Sequence, residues 1–373
     1  MEYKWETMAL LSDGHDVIDK EYKKLTAEMY AAGHSFFTYI SDNPNALASC
    51  CRLRNEVSTN EFSFTNGLTG VATGSVCVIT LNINRIIQDW ANSTQRKFYN
   101  PNDKNLFHCK ENIPLFTAYL ENILSRVYKY HRAYKDMLYE SFKNGILPAY
   151  SAGYIDLHQQ FSTVGINGMN EAAEFMGITC SDNPDYQEFC NVITSVISKD
   201  NKENTDSEIK FNLEFVPAES LGVKNYSWDK EDGYIVPENR NCYNSYFYKP
   251  DDPTIDILQK FRLQGSRYAE NCDGGVAFHA NLDEHLSKQQ YLKLIDYSIK
   301  VGCNYFTFNI PNSECNDCGH IVKRPIKTCP VCGSKHITWW TRIIGYLRPI
   351  STFSKSRQVE ASRRVYLHAN EEL

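Results

Sequence analysis

The chain has 373 residues, enough for one large core or two medium ones, and its 42% hydrophobic and 23% charged residues are ordinary for a soluble globular protein. The formal net charge of −6 argues against a general nucleic-acid binder. No apolar run approaches membrane-spanning length and the opening MEYKWETMALL lacks a signal peptide's apolar stretch, so no membrane partner is expected and the cytoplasm is the expected compartment.

Along the chain, the pattern from Asp16 to about Ile40 predicts a helix, followed by the turn-rich SDNPN. A loop region then carries Cys50, Cys51 and the run TNGLTGVATG, and the apolar stretch Val76–Ile83 reads as a buried strand. A long helix is predicted from Pro114 to Asn144, with Leu120, Ile123, Leu124 and Val127 on one face and Gly145 and Pro148 as stops. Ile209–Val216 and Asn304–Ile310 read as strands. Between them Ser287 opens a helix with a capping box to Gln290 that runs to Lys300. Strands alternating with helices point to an α/β core, and the tail beyond Pro311 is rich in loops.

Thirteen cysteines are an odd count, which argues against full pairing and for reduced thiols, some on metal and some free for chemistry. Cys315-x2-Cys318 and Cys329-x2-Cys332 form two knuckles, each followed by a turn glycine, Gly319 or Gly333. Four thiolates at this spacing fit tetrahedral Zn2+ with no open position, hence a structural site; a pair of redox dithiols is the competing reading. His320 and His336 adjoin the knuckles as bystanders. From His320 to Tyr366 there are ten Lys/Arg and one acid, Glu360. That balance gives weak support to a nucleic-acid contact; a solvated basic face or a docking surface for a partner protein is the bland alternative.

Immediately after the ribbon stand Arg342-Ile343-Ile344-Gly345-Tyr346-Leu347 and Ser354-Lys355-Ser356-Arg357-Gln358-Val359-Glu360. In order and proximity to a four-cysteine site, these resemble the radical-bearing loop of anaerobic (class III) ribonucleoside-triphosphate reductases. The resemblance continues at Ser49-Cys50-Cys51-Arg52-Leu53-Arg54-Asn55-Glu56, at Thr73-Gly74-Ser75, at Ser162–Gly168, at Asn170–Glu174, at Phe215-Val216-Pro217-Ala218-Glu219-Ser220 and at Cys303–Cys318. It covers nearly the whole chain from about Leu25.

The resemblance implies part of a ten-stranded α/β barrel of the glycyl-radical enzyme type over residues 1–310, with a finger loop at about 45–75, a zinc ribbon at 311–340, and a glycyl-radical loop and tail at 341–373. Gly345 would store the radical, since a Cα radical is delocalised over the flanking amides and needs a planar centre without a side chain. Cys51 would become the thiyl radical that takes the 3′-hydrogen of the ribose. Cys50 is a spare thiol, a packing residue or a hydrogen donor. Cys77, two residues after Ser75, would face the same way on a strand and could assist reduction. Pro217, Ala218, Glu219 and Ser220 would lie beneath the substrate phosphates, where a strand running into a helix offers free backbone N–H groups. Glu314 is a candidate acid/base group.

The implied partners are a ribonucleoside triphosphate, a radical-SAM iron–sulfur activase, and formate or a dithiol protein as reductant. Ser75 stands where one subgroup linked to formate carries asparagine, which tells against formate. No iron–sulfur cluster is expected on this chain. Family members are longer, with a regulatory cone and a first half-barrel, so an N-terminal half supplied elsewhere and a homodimer of the complete enzyme are expected; truncation or evolutionary decay would leave a chain of the same length. A glycyl-radical lyase of the pyruvate formate-lyase type and a non-catalytic zinc-ribbon binding protein are the alternative functions. The ribbon ahead of Gly345 and Arg52-Leu53-Arg54 after Cys51 speak against the lyase, while Gly345 and Cys51 have no reason in the binding protein.

Overall fold

The computed structural model describes residues 7–43, 46–48, 54–56, 74–93, 102–216, 220–342 and 347–367. The chain opens with strand β1 (Thr7–Leu11) and helix α1 (Lys20–Ala31). The Asp19 carboxylate accepts from the N–H groups of Glu21 and Tyr22 and so fixes where α1 begins. This helix is shorter than the helical stretch expected from Asp16 to Ile40. Gly33, at φ +81°, ends it, and the aromatic residues beyond form strand β2 (Phe37–Ser41). Two short antiparallel strands follow, β3 (Ala46–Ala48) and β4 (Arg54–Glu56).

Strand β5 (Gly74–Asn82) runs straight into helix α2 (Ile83–Ala91), which the Asn82 side chain caps through the Arg85 N–H. The run expected to be a buried strand is only partly buried: Leu81 is enclosed, whereas Val78 is 42% exposed on β5, the edge strand of its sheet among the described residues. The long helix α3 (Asn112–Lys143) buries Leu120, Leu124 and Val127 and half-buries Ile123, as its spacing predicts. After the short α4 (Pro148–Ser151) come β6 (Gln160–Asn167), α5 (Met169–Phe175), α6 (Pro184–Asn204), β7 (Lys210–Phe215), α7 (Leu221–Glu231), α8 (Ile257–Leu263), α9 (Ser266–Ala269) and β8 (Phe278–Asn281). Helix α10 (Lys288–Val301) carries the expected Ser287–Gln290 capping box and leads into β9 (Tyr305–Asn309). The tail holds β10 (Asn312–Cys315), β11 (Ile321–Val322), β12 (Ile337–Arg342), β13 (Leu347–Pro349) and α11 (Lys355–Arg363).

The strands β5, β6 and β7 are parallel neighbours, as are β8 and β9. A parallel bridge from Glu214 to Gly275, just ahead of β8, joins the two groups. On the far side of β9, β2 pairs antiparallel to it, and β1 lies parallel to β2. The order is therefore β5-β6-β7-β8-β9-β2-β1, a mixed α/β arrangement with helices returning along one face. A separate antiparallel sheet, β11-β10-β12-β13, forms the tail.

The period-two alternation of each strand gives the main sheet two chemically distinct faces. Leu81, Val164, Ile166, Leu213, Phe215, Phe278, Phe306 and Phe308 form one apolar cluster with Phe116, Leu120, Ile193, Leu294 and Ile295 of the helices. Thr163, Asn167, Asn212, Glu214, His279, Asn281 and Asn309 occupy the opposite face and are nonetheless buried. Gly165 sits on that polar face, where a Cβ would stand 2.4 Å from Val216 Cγ2 and 2.6 Å from Thr80 Oγ1. Among the largest enclosed side chains, Tyr30, Tyr186, Tyr243 and Tyr248 all satisfy their hydroxyls within the protein.

Phe306→Ala, which empties the centre of the apolar face, is expected to lower unfolding free energy by ~3–5 kcal/mol. Tyr130→Ala on the exposed side of α3 should change it by less than about 0.5 kcal/mol. Urea unfolding midpoints of the two variants provide the comparison.

Candidate functional site

The four-cysteine knuckles come together at the near end of the tail sheet. The sulfurs of Cys315, Cys318, Cys329 and Cys332 all lie within 4.8 Å of one another, with Cys315 and Cys332 3.5 Å apart and Cys318 and Cys329 3.6 Å apart. Each knuckle turns on its glycine: the Gly319 N–H donates to the Cys315 carbonyl at 2.8 Å and the Gly333 N–H to the Cys329 carbonyl at 3.0 Å. Backbone N–H groups of Cys332 and Val331 draw the Cys329 thiol down to about 7, which favours the thiolate that a metal binds. Four sulfurs at this spacing fit a tetrahedral metal such as zinc. His336 stands aside from them, its Nδ1 3.2 Å from Asp317 Oδ1. The Glu314 carboxylate accepts from the Trp340 indole at 2.9 Å, which gives this candidate acid/base group a structural partner.

Strand β12 carries the chain from this cluster to the main sheet. At its end, Thr341 Oγ1 and the Arg342 N–H both donate to Asn309 Oδ1, at 3.2 and 3.1 Å, and Asn309 Nδ2 donates to Asn281 Oδ1 at 2.7 Å. The Arg342 side chain is buried, donates to Ser35 Oγ at 2.7 Å and lies 4.9 Å over the Phe37 ring. Burial pulls its pKa down to about 10. Arg342 and Leu347 are register partners between β12 and β13, so the residues on either side of Ile343–Tyr346 are held together. Gly345 itself lies outside the described residues.

Helix α11 closes over this point. Arg364 donates through Nε and Nη2 to Glu360 at 2.7 and 2.8 Å and through Nη1 to the Arg342 carbonyl at 2.6 Å. Burial raises the Glu360 pKa, but Arg364 and Arg357 outweigh it and hold the carboxyl below its ordinary value. The Leu367 N–H then donates to the Asn281 carbonyl at 3.0 Å and anchors the tail to β8.

Strands β3 and β4 bracket a second segment. Ala48 and Arg54 are register partners, which ties together the two ends of the segment from Ser49 to Leu53. Cys50 and Cys51 lie in that segment and, like Pro217, Ala218 and Glu219, outside the described residues. Ser220 immediately precedes α7. On β5, Ser75 Oγ lies 2.7 Å from Thr163 Oγ1 on the polar face. The expectation that Cys77 faces the same way fails. The pairing slips between Ser75 and Cys77, so Ser75 aligns with Phe161 and Cys77 with Ser162, and the extra residue of the bulge turns Cys77 to the helix side. Burial there pushes its thiol pKa up.

Sequence reasoning missed the buried polar network at the carboxyl ends of the strands. Asn82, Asn167, Asn281 and Asn309 each close a strand. Asn167 accepts from Asn225 Nδ2 at 3.1 Å and donates to the Asn244 carbonyl at 2.9 Å. Nearby, the buried Asp229 binds Arg85 Nε at 2.7 Å and Tyr243 at 2.6 Å. The repeated asparagine at strand ends was the available signal. Carboxyl ends of parallel strands are where α/β folds bind ligands.

Comparison with known proteins agrees with this geometry. Residues 4–367 match the family model of anaerobic ribonucleoside-triphosphate reductase. A solved anaerobic ribonucleotide reductase superposes with a TM-score of 0.79 at 24% identity, covering 98% of this chain and 55% of that one. The Thermotoga maritima anaerobic ribonucleotide reductase in complex with dATP and CTP superposes with a TM-score of 0.76 at 24% identity, covering 96% and 56%. The chain thus spans little more than half the length of these structures. No curated protein matches it by sequence.

Purified with zinc available, the chain is expected to hold one metal ion per molecule, measured by emission spectrometry, and Cys329→Ser should lose it while the far-ultraviolet spectrum of the main sheet and helices persists. Glu360→Ala removes the carboxylate that pairs with Arg364 and Arg357 and should cost ~3–5 kcal/mol in a urea titration at neutral pH. Because the Glu360 pKa is lower folded than unfolded, its contribution is present above the ordinary carboxylate pKa and disappears as pH falls through the folded value. The penalty of Glu360→Ala should therefore shrink in acid.

Proposed function

The chain belongs to the anaerobic ribonucleoside-triphosphate reductase family, and we propose that it carries the catalytic part of such an enzyme, converting ribonucleoside triphosphates to deoxyribonucleoside triphosphates. The observation that carries this reading is that two loops are each bracketed by paired strand residues, in a chain that matches this family over residues 4–367. Arg342 and Leu347 bracket the loop with Gly345, and Ala48 and Arg54 bracket the loop with Cys51. Arg342 packs on Phe37 at the start of β2, the strand that leads toward the second loop.

In this reading, a radical-SAM activase removes a hydrogen atom from the Gly345 Cα. The glycyl radical takes hydrogen from the Cys51 thiol, and the thiyl takes the 3′-hydrogen of the ribose. Water leaves from the 2′ position, a reductant supplies two electrons and protons, and Cys51 returns its hydrogen to the 3′ carbon. Sulfur suits the relay because its S–H bond is close in strength to the C–H bonds on either side. Formate or a dithiol protein serves as reductant; Cys50 is the nearest thiol in sequence for the second route, while Cys77 stands on the opposite face from Ser75.

The division into a barrel portion over 1–310 with its finger at about 45–75, a ribbon at 311–340 and a radical loop and tail at 341–373 follows from the same reading. Zinc in the four-cysteine cluster would be structural, holding β10 and β12 so that Arg342 meets Asn309. Pro217–Ser220 would receive substrate phosphates ahead of α7. Among the described residues, β1 and β5 end the main sheet, and the chain spans 55% of a solved relative. We therefore take the working enzyme to include further strands; by the family resemblance it would be a homodimer of the complete enzyme in the cytoplasm. No helix among the described residues is long and apolar enough to cross a membrane.

Low-temperature electron paramagnetic resonance tests this. Anaerobic protein with activase, S-adenosylmethionine and reductant should give a doublet that Gly345→Ala abolishes. A doublet that persists in Gly345→Ala would refute the assignment, and silence even with the N-terminal portion added would refute the glycyl-radical reading.

A further inference from the structure

The basic tail is the sequence feature that the reductase reading does not use. Between His320 and Tyr366 stand ten Lys/Arg and one acid, in a chain whose overall charge is −6. Part of that charge is taken up inside the fold, at Arg342 and Arg364. On the ribbon it is not. Arg324, Lys327 and Lys335 are exposed, and among the described residues none of the three has an ion-pair partner. The ribbon's own acids are engaged elsewhere: Asp317 with Ser334 and His336, and Glu314, on the opposite face of β10 from Ser313, with the Trp340 indole.

An aromatic ring is fixed among these cations. Ser313 is the register partner of Val322 on one side and of Trp339 on the other, so the three share one face of the tail sheet. The buried Ser313 hydroxyl donates to the Arg324 carbonyl at 2.8 Å and accepts from the Ile326 N–H at 3.0 Å. The Trp339 indole N–H donates to the Ile326 carbonyl at 2.8 Å. These bonds pin the turn Arg324-Pro325-Ile326-Lys327 to that face and lock the edge of the indole against it. The only polar atom of the ring is thus satisfied within the protein, while Trp339 remains 44% exposed beside a turn that carries two cations.

We infer that this face of the ribbon binds single-stranded nucleic acid, with a base stacked on Trp339 and the adjoining phosphates on Arg324 and Lys327. Charge and shape favour that occupant over an acidic polypeptide. Every nucleotide of a single strand offers a π-face next to a phosphate, which is the combination of ring and cation found here, and any base can stack, so no sequence readout is needed. A carboxylate-rich peptide matches the cations but offers nothing to the indole. The acidic remainder of the chain repels a long duplex and confines the contact to a few nucleotides at the ribbon. None of these residues enters the proposed reductase chemistry, so the surface is a further function of the chain.

Fluorescence anisotropy of an end-labelled oligothymidylate of about twelve nucleotides, titrated with the full zinc-loaded chain, tests this. Binding is expected at low salt. Trp339→Ala should weaken it by roughly tenfold, the loss of one stacked base, while Trp339→Phe keeps most of the affinity. Both variants lack the indole N–H, so their difference separates stacking from the bond to Ile326, and zinc content and the far-ultraviolet spectrum confirm that each is folded. The double variant Arg324→Ala/Lys327→Ala should flatten the log–log salt dependence by about 1.4, two phosphate contacts at ~0.7 each. Lys143→Ala, exposed on α3, should change neither quantity. No binding by the wild-type chain at low salt overturns the inference, as does an affinity unchanged in Trp339→Ala or a salt slope unchanged in the double variant. Polyglutamate bound with the same dependence on Trp339 would show a surface for an acidic polypeptide, and duplex DNA bound as tightly as the single strand would show bare charge attraction; either result also overturns it.

Discussion

Asn309 joins the two halves of this molecule. Its side-chain oxygen accepts from Thr341 and Arg342 on the ribbon's return strand, and its nitrogen donates to Asn281 on the neighbouring parallel strand. It is almost fully buried, so in the folded protein water cannot replace these bonds, and breaking one leaves a buried polar group unpaired. Through this residue the carboxyl end of β9 fixes where β12 ends. The end of β12 in turn fixes the Arg342–Leu347 pair, and α11 reads that position through the Arg342 carbonyl.

The same logic extends across the sheet. A strand buried on both faces would ordinarily be apolar on both. Here the helix-facing side obeys that rule and the other side does not. Thr163, Asn167, Asn212, Glu214, His279 and Asn281 are enclosed without being apolar. Such a face costs stability unless its groups find partners, and it makes sense where polar chemistry must happen out of water. The pair between His279 Nδ1 and the Tyr246 hydroxyl, at 3.0 Å, shows how the surrounding loops supply those partners.

The ribbon is a distinct physical solution. Its short strands bury little apolar surface, and its four sulfurs lie within 4.8 Å of one another, where a bound metal would hold together what packing does not. Trp340 and Glu314 extend its order into β10 and β12, and Lys323 reaches the Ala32 carbonyl at the end of α1. The four-cysteine cluster thereby stands as an anchor at the start of the strand that presents Arg342.

Much of this was legible in the sequence because it depends on neighbours along the chain. Ser287 and Gln290 cap α10 through local hydrogen bonds, the Leu120–Leu124–Val127 stripe follows from helical period, and the cysteine spacing brings four sulfurs together within a single turn-rich segment. The family was legible too, since its motifs are short and contiguous. Other features depended on contacts that linear distance conceals. The helix expected through Ile40 stops because Gly33 and the pairing of Phe37–Ser41 with β1 and β9 favour a strand. The bulge that separates Ser75 from Cys77 exists only because β5 must register with β6, and the brief, partly polar strand Phe278–Asn281 acquires its form from β9. The sequence by itself determined the local elements, the four-cysteine cluster and the family, all set by nearby residues. Only tertiary structure decided which strand face is polar and which partners the buried Arg342 finds in Ser35 and Arg364, because those depend on residues far apart in the chain meeting in a medium where each buried charge or amide must find a partner.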